Sequence, residues 1–124
     1  MIPASWTVLV LLASVVEGEA GIVPEAMPLI GHSIMNRVAD DSGLWPNDVI
    51  GVIEQSGQYN GRAKPSSRAI AVARDVLRRS SDPTGGMLFV ISGQDARWLG
   101  CGEGDIVYVS PAGSVHGYQE WCGG

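Results

Sequence analysis

Residues 6–21, WTVLVLLASVVEGEAG, decide how the rest of the chain is read. Trp6 to Val16 is almost wholly apolar, yet too short to cross a bilayer, which takes about 20 residues. The run also has the length of a signal-peptide core. Against that reading, the first Lys or Arg of the chain is Arg37, and acidic Glu17 and Glu19 follow the run with no A-x-A cleavage site. The run is therefore read as a buried first helix, Trp6 to Glu19, with Ser5 as its N-cap and Gly21 near its C-cap.

Helical spacing gives this segment its chemical interest. At 100° per residue, Val8, Leu12, Val15 and Val16 lie within about 60° of Glu19, whereas Glu17 points to nearly the opposite side. A carboxyl that continues an apolar stripe resists ionisation, and the C-terminal end of the helix dipole acts in the same sense. A carboxyl kept protonated is what a general acid needs to protonate a glycosidic oxygen. Periodicity alone favours the plainer alternative, a frayed helix end with Glu19 in water.

Working outward, 124 residues make room for one domain, taken as residues 1–124. A 45% apolar and 17% charged composition excludes intrinsic disorder. A net charge of −5 argues against nucleic acid as a partner, because phosphate binding needs a basic patch. Two cysteines are too few for a disulfide scaffold; Cys101 and Cys122 either form one bridge or stay as buried thiols.

After the first helix, a second ends near Val38, and Pro24 and Pro28 both suit its first turn. Pro46 opens a short third helix, Asn47 to Glu54. Gln55 to Lys64 is a polar, glycine-punctuated loop. Pro65 and Ser66 start a helix to about Ser80, with Ala69, Ile70, Ala73, Val76 and Leu77 on one apolar stripe. Asp82 to Gly86 is a turn, Met87 to Ile91 and Asp105 to Ser110 are strands, and a third strand is expected around Ser114 to Trp121. The class is α+β, mainly α, with the β and loop region in the C-terminal third.

Other constellations carry less. Adjacent His32 and Ser33 do not make a nucleophile–base pair. Cys101, His116 and Cys122 match no standard zinc spacing. Trp6, Trp45, Trp98 and Trp121 are core residues by default, with sugar stacking as the alternative.

Several blocks together resemble one family, the spore-cortex-lytic, SleB-like cell-wall hydrolases. Val15 to Gly21 (VVEGEAG) looks like the family's VxxGEA-G stretch, and Ile34 to Val38 (IMNRV) like its helix end. Pro46 to Tyr59 (PNDVIGVIEQSGQY) is similar to the segment ending Q-x-G-Q-F, Ala71 to Leu77 resembles the helix that follows, and Asp82 to Phe89 (DPTGGMLF) resembles DPTGGALxF. The blocks keep the family's order over residues 8–92; residues 93–124 form a poorly matched tail.

The resemblance implies a compact lysozyme-like domain that cleaves peptidoglycan between N-acetylmuramic acid and N-acetylglucosamine, in the manner of a lytic transglycosylase. It places the catalytic glutamate on Glu19 and implies that Gln58, Tyr59, Thr84, Gly85 and Gly86 line the cleft. The second acid that the family carries after GEA-G is missing: Ile22 and Val23 stand there, and Glu25 is the nearby substitute. An asparagine that follows the family's ALxF strand is replaced at about Ser92. Expected partners are peptidoglycan glycan strands, with no nucleic acid, membrane span, metal or cofactor. The chain is expected to be a monomer acting at the cell wall, spore-borne or phage-delivered. A hydrolytic muramidase and a non-catalytic peptidoglycan-binding or phage structural module are the rival readings.

Overall fold

The computed structural model describes residues 2–21, 23–55, 59, 62–78, 82–92, 98–102, 104–110 and 113–119. Helix α1 spans Ile2–Ala20. It begins well before Trp6, so Ser5 lies inside the helix and is not its N-cap; Pro3 is tolerated because a first turn needs no N–H there. Leu9, Leu12, Ala13, Val15, Val16 and Ala20 are buried, and partly buried Val8 and Leu11 pack against them. The stripe that contains Val8, Leu12, Val15 and Val16 is thus the heart of the core.

Both prolines of the next segment find the first-turn places that suit them. Pro24 opens a single 3-10 turn, Pro24–Ala26, and Pro28 sits in the first turn of α2, Met27–Ala39. Helix α3, Val49–Glu54, is capped by Asp48, whose side chain accepts from the Gly51 N–H. Helix α4, Ser67–Leu77, is capped by Ser66, whose hydroxyl accepts from the Ala69 N–H. Its expected stripe holds: Ala69, Ala73 and Val76 are buried, and Ile70 and Leu77 pack against the core. Helices α2, α3 and α4 all pack on α1. At the crossing of α2 and α4, a Cβ on Gly31 would stand 2.9 Å from Val76 Cγ2, so glycine sets how closely the two helices approach.

The C-terminal third is a three-stranded antiparallel sheet of β1 (Phe89–Ser92), β2 (Asp105–Ser110) and β3 (Gly113–Tyr118), ordered β1-β3-β2. Phe89 pairs with Tyr118 and Ile106 with His116, and an irregularity between Ile106 and Tyr108 shifts the register. The Leu88 N–H donates to the Tyr118 carbonyl at 3.1 Å, carrying the pairing one step past β1. The molecule is therefore α+β and mainly helical, as the sequence pattern indicates.

Leu12 is fully buried at the centre of this packing. Leu12→Ala is expected to destabilise the protein by about 2–5 kcal/mol, read from the midpoint and slope of urea unfolding.

Candidate active site

The end of α2 carries two polar side chains that join the helices to the C-terminal third. Arg37 is 6% exposed, an unusual depth for a cation. Its Nε donates to the Leu88 carbonyl at 2.7 Å. Its guanidinium carbon lies 4.5 Å from the Phe89 ring centroid, 5.3 Å from that of Tyr59 and 5.5 Å from that of Trp45. Trp45 and Phe89 meet edge to face at 5.6 Å, closing the box. Burial lowers the Arg37 pKa and Tyr59 opposes that shift, but a guanidinium stays charged in proteins.

Asn36, one residue earlier, reaches the turn that precedes β1. Its Nδ2 donates to Asp82 Oδ2 at 2.9 Å and to the Met87 carbonyl at 2.9 Å, with Thr84 Oγ1 at 3.3 Å. Asp82 organises the turn. Oδ1 accepts from the Thr84 N–H and hydroxyl, each at 2.7 Å, and Oδ2 accepts from the Gly86 N–H at 2.9 Å. His32 Nδ1 lies 4.0 Å from Asp82 Oδ1. Burial pushes the Asp82 carboxyl upward, but the Thr84 hydroxyl, Asn36 and the two backbone donors outweigh it, and the pKa falls below the ordinary aspartate value. Gly85 and Gly86 take positive φ values of 67° and 93°, which lets the chain fold back over this carboxylate.

The C-terminal end of α1 holds the two glutamates that helical spacing set on opposite sides. Glu17 Oε1 accepts from the Ser66 N–H at 2.9 Å, so a carboxylate sits on the positive end of α4. That hydroxyl and N–H hold the Glu17 carboxyl below the usual glutamate range. Glu19 is exposed. The expectation of an apolar setting for this side chain is thereby corrected: the buried stripe reaches Val16 and Ala20, and Glu19 stands at its margin in the last turn. The helix runs to Ala20, so exposure here does not come from fraying.

Tyr59 faces this end of the molecule from the segment after α3. The same segment then runs along α1, where the Ala63 N–H donates to the Ser14 carbonyl at 3.1 Å before Ser66 meets Glu17. The Tyr59 ring is packed against the core and Arg37. Burial raises the pKa of its phenol, Arg37 lowers it, the Glu19 charge raises it and the Ser33 hydroxyl lowers it; the net shift is upward. Ser33 Oγ donates its own proton to the Ile30 carbonyl at 2.8 Å. Tyr59 Oη is buried and makes no hydrogen bond of good geometry among the described residues.

The structure thus brings Glu19 and Tyr59 together, and places the other expected site residues as follows. Gln58 lies outside the described residues. Thr84 is 3% exposed and its hydroxyl serves the turn, whereas Gly85 is exposed and Gly86 half-buried. Glu25 is exposed and stands 4.0 Å from Arg68 at the start of α4. Of the tryptophans, Trp45 is buried as expected, but Trp6 and Trp98 are 57% and 84% exposed; Trp121 lies outside the described residues. Cys101 is disulfide-bonded, which rules out the buried-thiol alternative for it; Cys122 lies outside the described residues. His116 Nε2 and Ser114 Oγ are 2.7 Å apart. Arg37, Asn36 and Asp82 are the residues that sequence reasoning passed over as individuals; the available signal was a charged pair set inside an otherwise apolar helix end.

A depressed Asp82 makes stability depend on acid. Its contribution is present above the pKa of an unfolded aspartate, about 3.9, and is lost as pH falls through the lower folded value. The melting temperature is expected to drop below about pH 4, and Asp82→Asn to flatten that drop. At neutral pH the variant should lose about 1–3 kcal/mol, because an amide nitrogen would face donors that need an acceptor.

Residues 23–107 match the model of the Cell Wall Hydrolase family. The stretch includes Glu25, Asn36, Arg37, Tyr59 and the Asp82 turn; Glu19 lies just before it. Among solved structures, the catalytic domain of the Bacillus cereus SleB protein aligns with a TM-score of 0.70 at 22% identity, covering 91% of this chain and 91% of that one. At that identity the likeness speaks for the fold. No curated protein is similar enough to count as a relative. On the match over most of its length, the chain belongs to the Cell Wall Hydrolase family.

Proposed function

We propose that this protein cleaves peptidoglycan glycan strands between N-acetylmuramic acid and N-acetylglucosamine as a lytic transglycosylase, with Glu19 as its single acid and base. Family membership over residues 23–107 carries the general reading, a cell-wall-degrading enzyme. Glu19 is favoured for the chemistry because it sits in the GEA stretch, is open to a polymer arriving from solvent and faces Tyr59.

In this reading a glycan strand covers Glu19 and excludes water, which favours the neutral, proton-bearing form of a carboxyl. Glu19 gives its proton to the glycosidic oxygen as the bond to the muramic acid anomeric carbon breaks. The resulting carboxylate takes the proton of the 6-hydroxyl of the same sugar as that oxygen bonds to the anomeric carbon. The product is a 1,6-anhydro ring, and no water is consumed. An intramolecular nucleophile needs one carboxyl, whereas retaining or inverting hydrolysis needs two at a set separation. The local bonding of other acids supports the one-carboxyl route. Asp48 caps α3, Asp82 is saturated by its turn, and Asp40 accepts from Ser42. Glu54 pairs with Arg62 at 2.6 Å.

Glu17, whose carboxylate holds the start of α4, makes a demanding comparison because its loss touches stability. Glu19→Gln should fold like the unmutated protein and lose a factor of at least about 10²–10⁴ in the rate of clearing purified cell walls. Mass spectrometry of the released fragments should show glycan ends one water lighter than reducing ends. Fragments with reducing ends would replace the transglycosylase by a muramidase. A Glu19→Gln variant that stays lytic would move the acid elsewhere, with Glu25 the next to test. An unmutated protein inert on every wall would favour the non-catalytic module.

A further inference from the structure

Tyr59 keeps a hydroxyl that the folded chain does not use. Oη is buried and without a hydrogen-bond partner among the described residues, and a phenylalanine there would avoid the cost of desolvating it. The ring is fixed: Arg37 lies 5.3 Å from its centroid on one side, and the ring packs on the core. From Tyr59 the chain runs along the C-terminal half of α1, with Ala63 on Ser14 and Ser66 on Glu17. That path brings the phenol into the field of Glu19. Ser33, the other polar group beside it, spends its proton on Ile30. The charged and titratable groups that face Tyr59 are therefore Arg37 from α2 and Glu19 from α1. His32, the neighbour of Ser33, is directed to Asp82.

We propose that Tyr59 is the positioning residue of Glu19: with a glycan strand bound, its hydroxyl donates a hydrogen bond to the Glu19 carboxyl and fixes which oxygen faces the scissile bond. The inference rests on Glu19 being the acid. The hydrogen bond leaves the proton-bearing oxygen turned toward the sugar in the first step. In the second step it stabilises the carboxylate that receives the 6-hydroxyl proton, and the buried Arg37 charge behind the ring adds to that. The acceptor that the phenol lacks in the free chain is thus supplied when the site is covered. A rigid ring held by a buried cation suits this task better than a flexible side chain, because its donor has one place to be.

The test uses Tyr59→Phe in the full chain, with soluble glycan strands released from purified peptidoglycan as substrate. Phenylalanine keeps the ring, its contact with Arg37 and its packing, so the melting temperature should hold or rise. The turnover number should fall about tenfold or more with KM nearly unchanged, the signature of an interaction that matters in the reaction and not in binding. Losing a donor to the carboxylate favours its protonated form, so the alkaline limb of the kcat profile should move to higher pH. An alkaline limb that stays in place overturns the proposal whatever happens to the rate, and so does a change confined to KM. Glu19→Gln measured beside it separates the two readings. If that variant is inactive while Tyr59→Phe leaves the limb in place, only the positioning role falls. If Glu19→Gln remains active, both fall.

Discussion

A buried guanidinium inside a box of three aromatic rings is the constraint on which this molecule turns. Arg37 comes from α2, Trp45 from the loop before α3, Tyr59 from the segment after it and Phe89 from β1. Four separate parts of the chain meet at one charge, and the Leu88 carbonyl fixes its orientation. Taking a cation out of water is costly, and it is tolerated where ring faces and hydrogen-bond acceptors surround it. The arrangement is therefore all or nothing: removing one wall exposes a charge whose solvation the others cannot replace. Asn36, next in the helix, extends the junction to Asp82, so two adjacent residues of α2 hold the whole passage from the Asp82 turn to β1.

The two glutamates near the end of α1 illustrate how position divides work between identical groups. Glu17 faces inward across the helix pair and binds the N-terminal end of α4, where a carboxylate is favoured by the dipole. Glu19, on the other side, is left to solvent beside Tyr59. One carboxylate is committed to the fold and the other is available to a ligand. The two-residue spacing on a helix is what makes both possible, since it separates the side chains by most of a half turn.

Much of the helical part was legible because its signals are local. The stripe through Val8, Leu12, Val15 and Val16 is a matter of period, the caps at Asp48 and Ser66 are a matter of residue type, and Asp82-Pro83-Thr84-Gly85-Gly86 could hardly be other than a turn. Period also put Glu19 on the side of the core, but it carries no information about where the neighbouring elements stop, and that is what left this side chain exposed. The same limit hid the box around Arg37, which depends on three aromatic residues far apart in sequence. Trp6 and Trp98 show the converse: a large apolar side chain is buried by default only if some other element covers it. Strand positions in the C-terminal third were readable to within a few residues, but their order in the sheet is a long-range fact with no local signature.

That order has a consequence for how the chain is made. β3 lies between β1 and β2 although it follows both in sequence. During synthesis the four helices emerge first and can pack on α1 while the strands are still unpaired. β1 and β2 then wait with open edges, exposed to pairing with other chains, until the central strand arrives. Closing the sheet also completes one wall of the Arg37 box, because Phe89 pairs with Tyr118. The site between the helices and the sheet is thus finished by one of the last strands to leave the ribosome, and a nascent chain stalled before β3 would carry Glu19 on a folded helix without a finished cleft beside it.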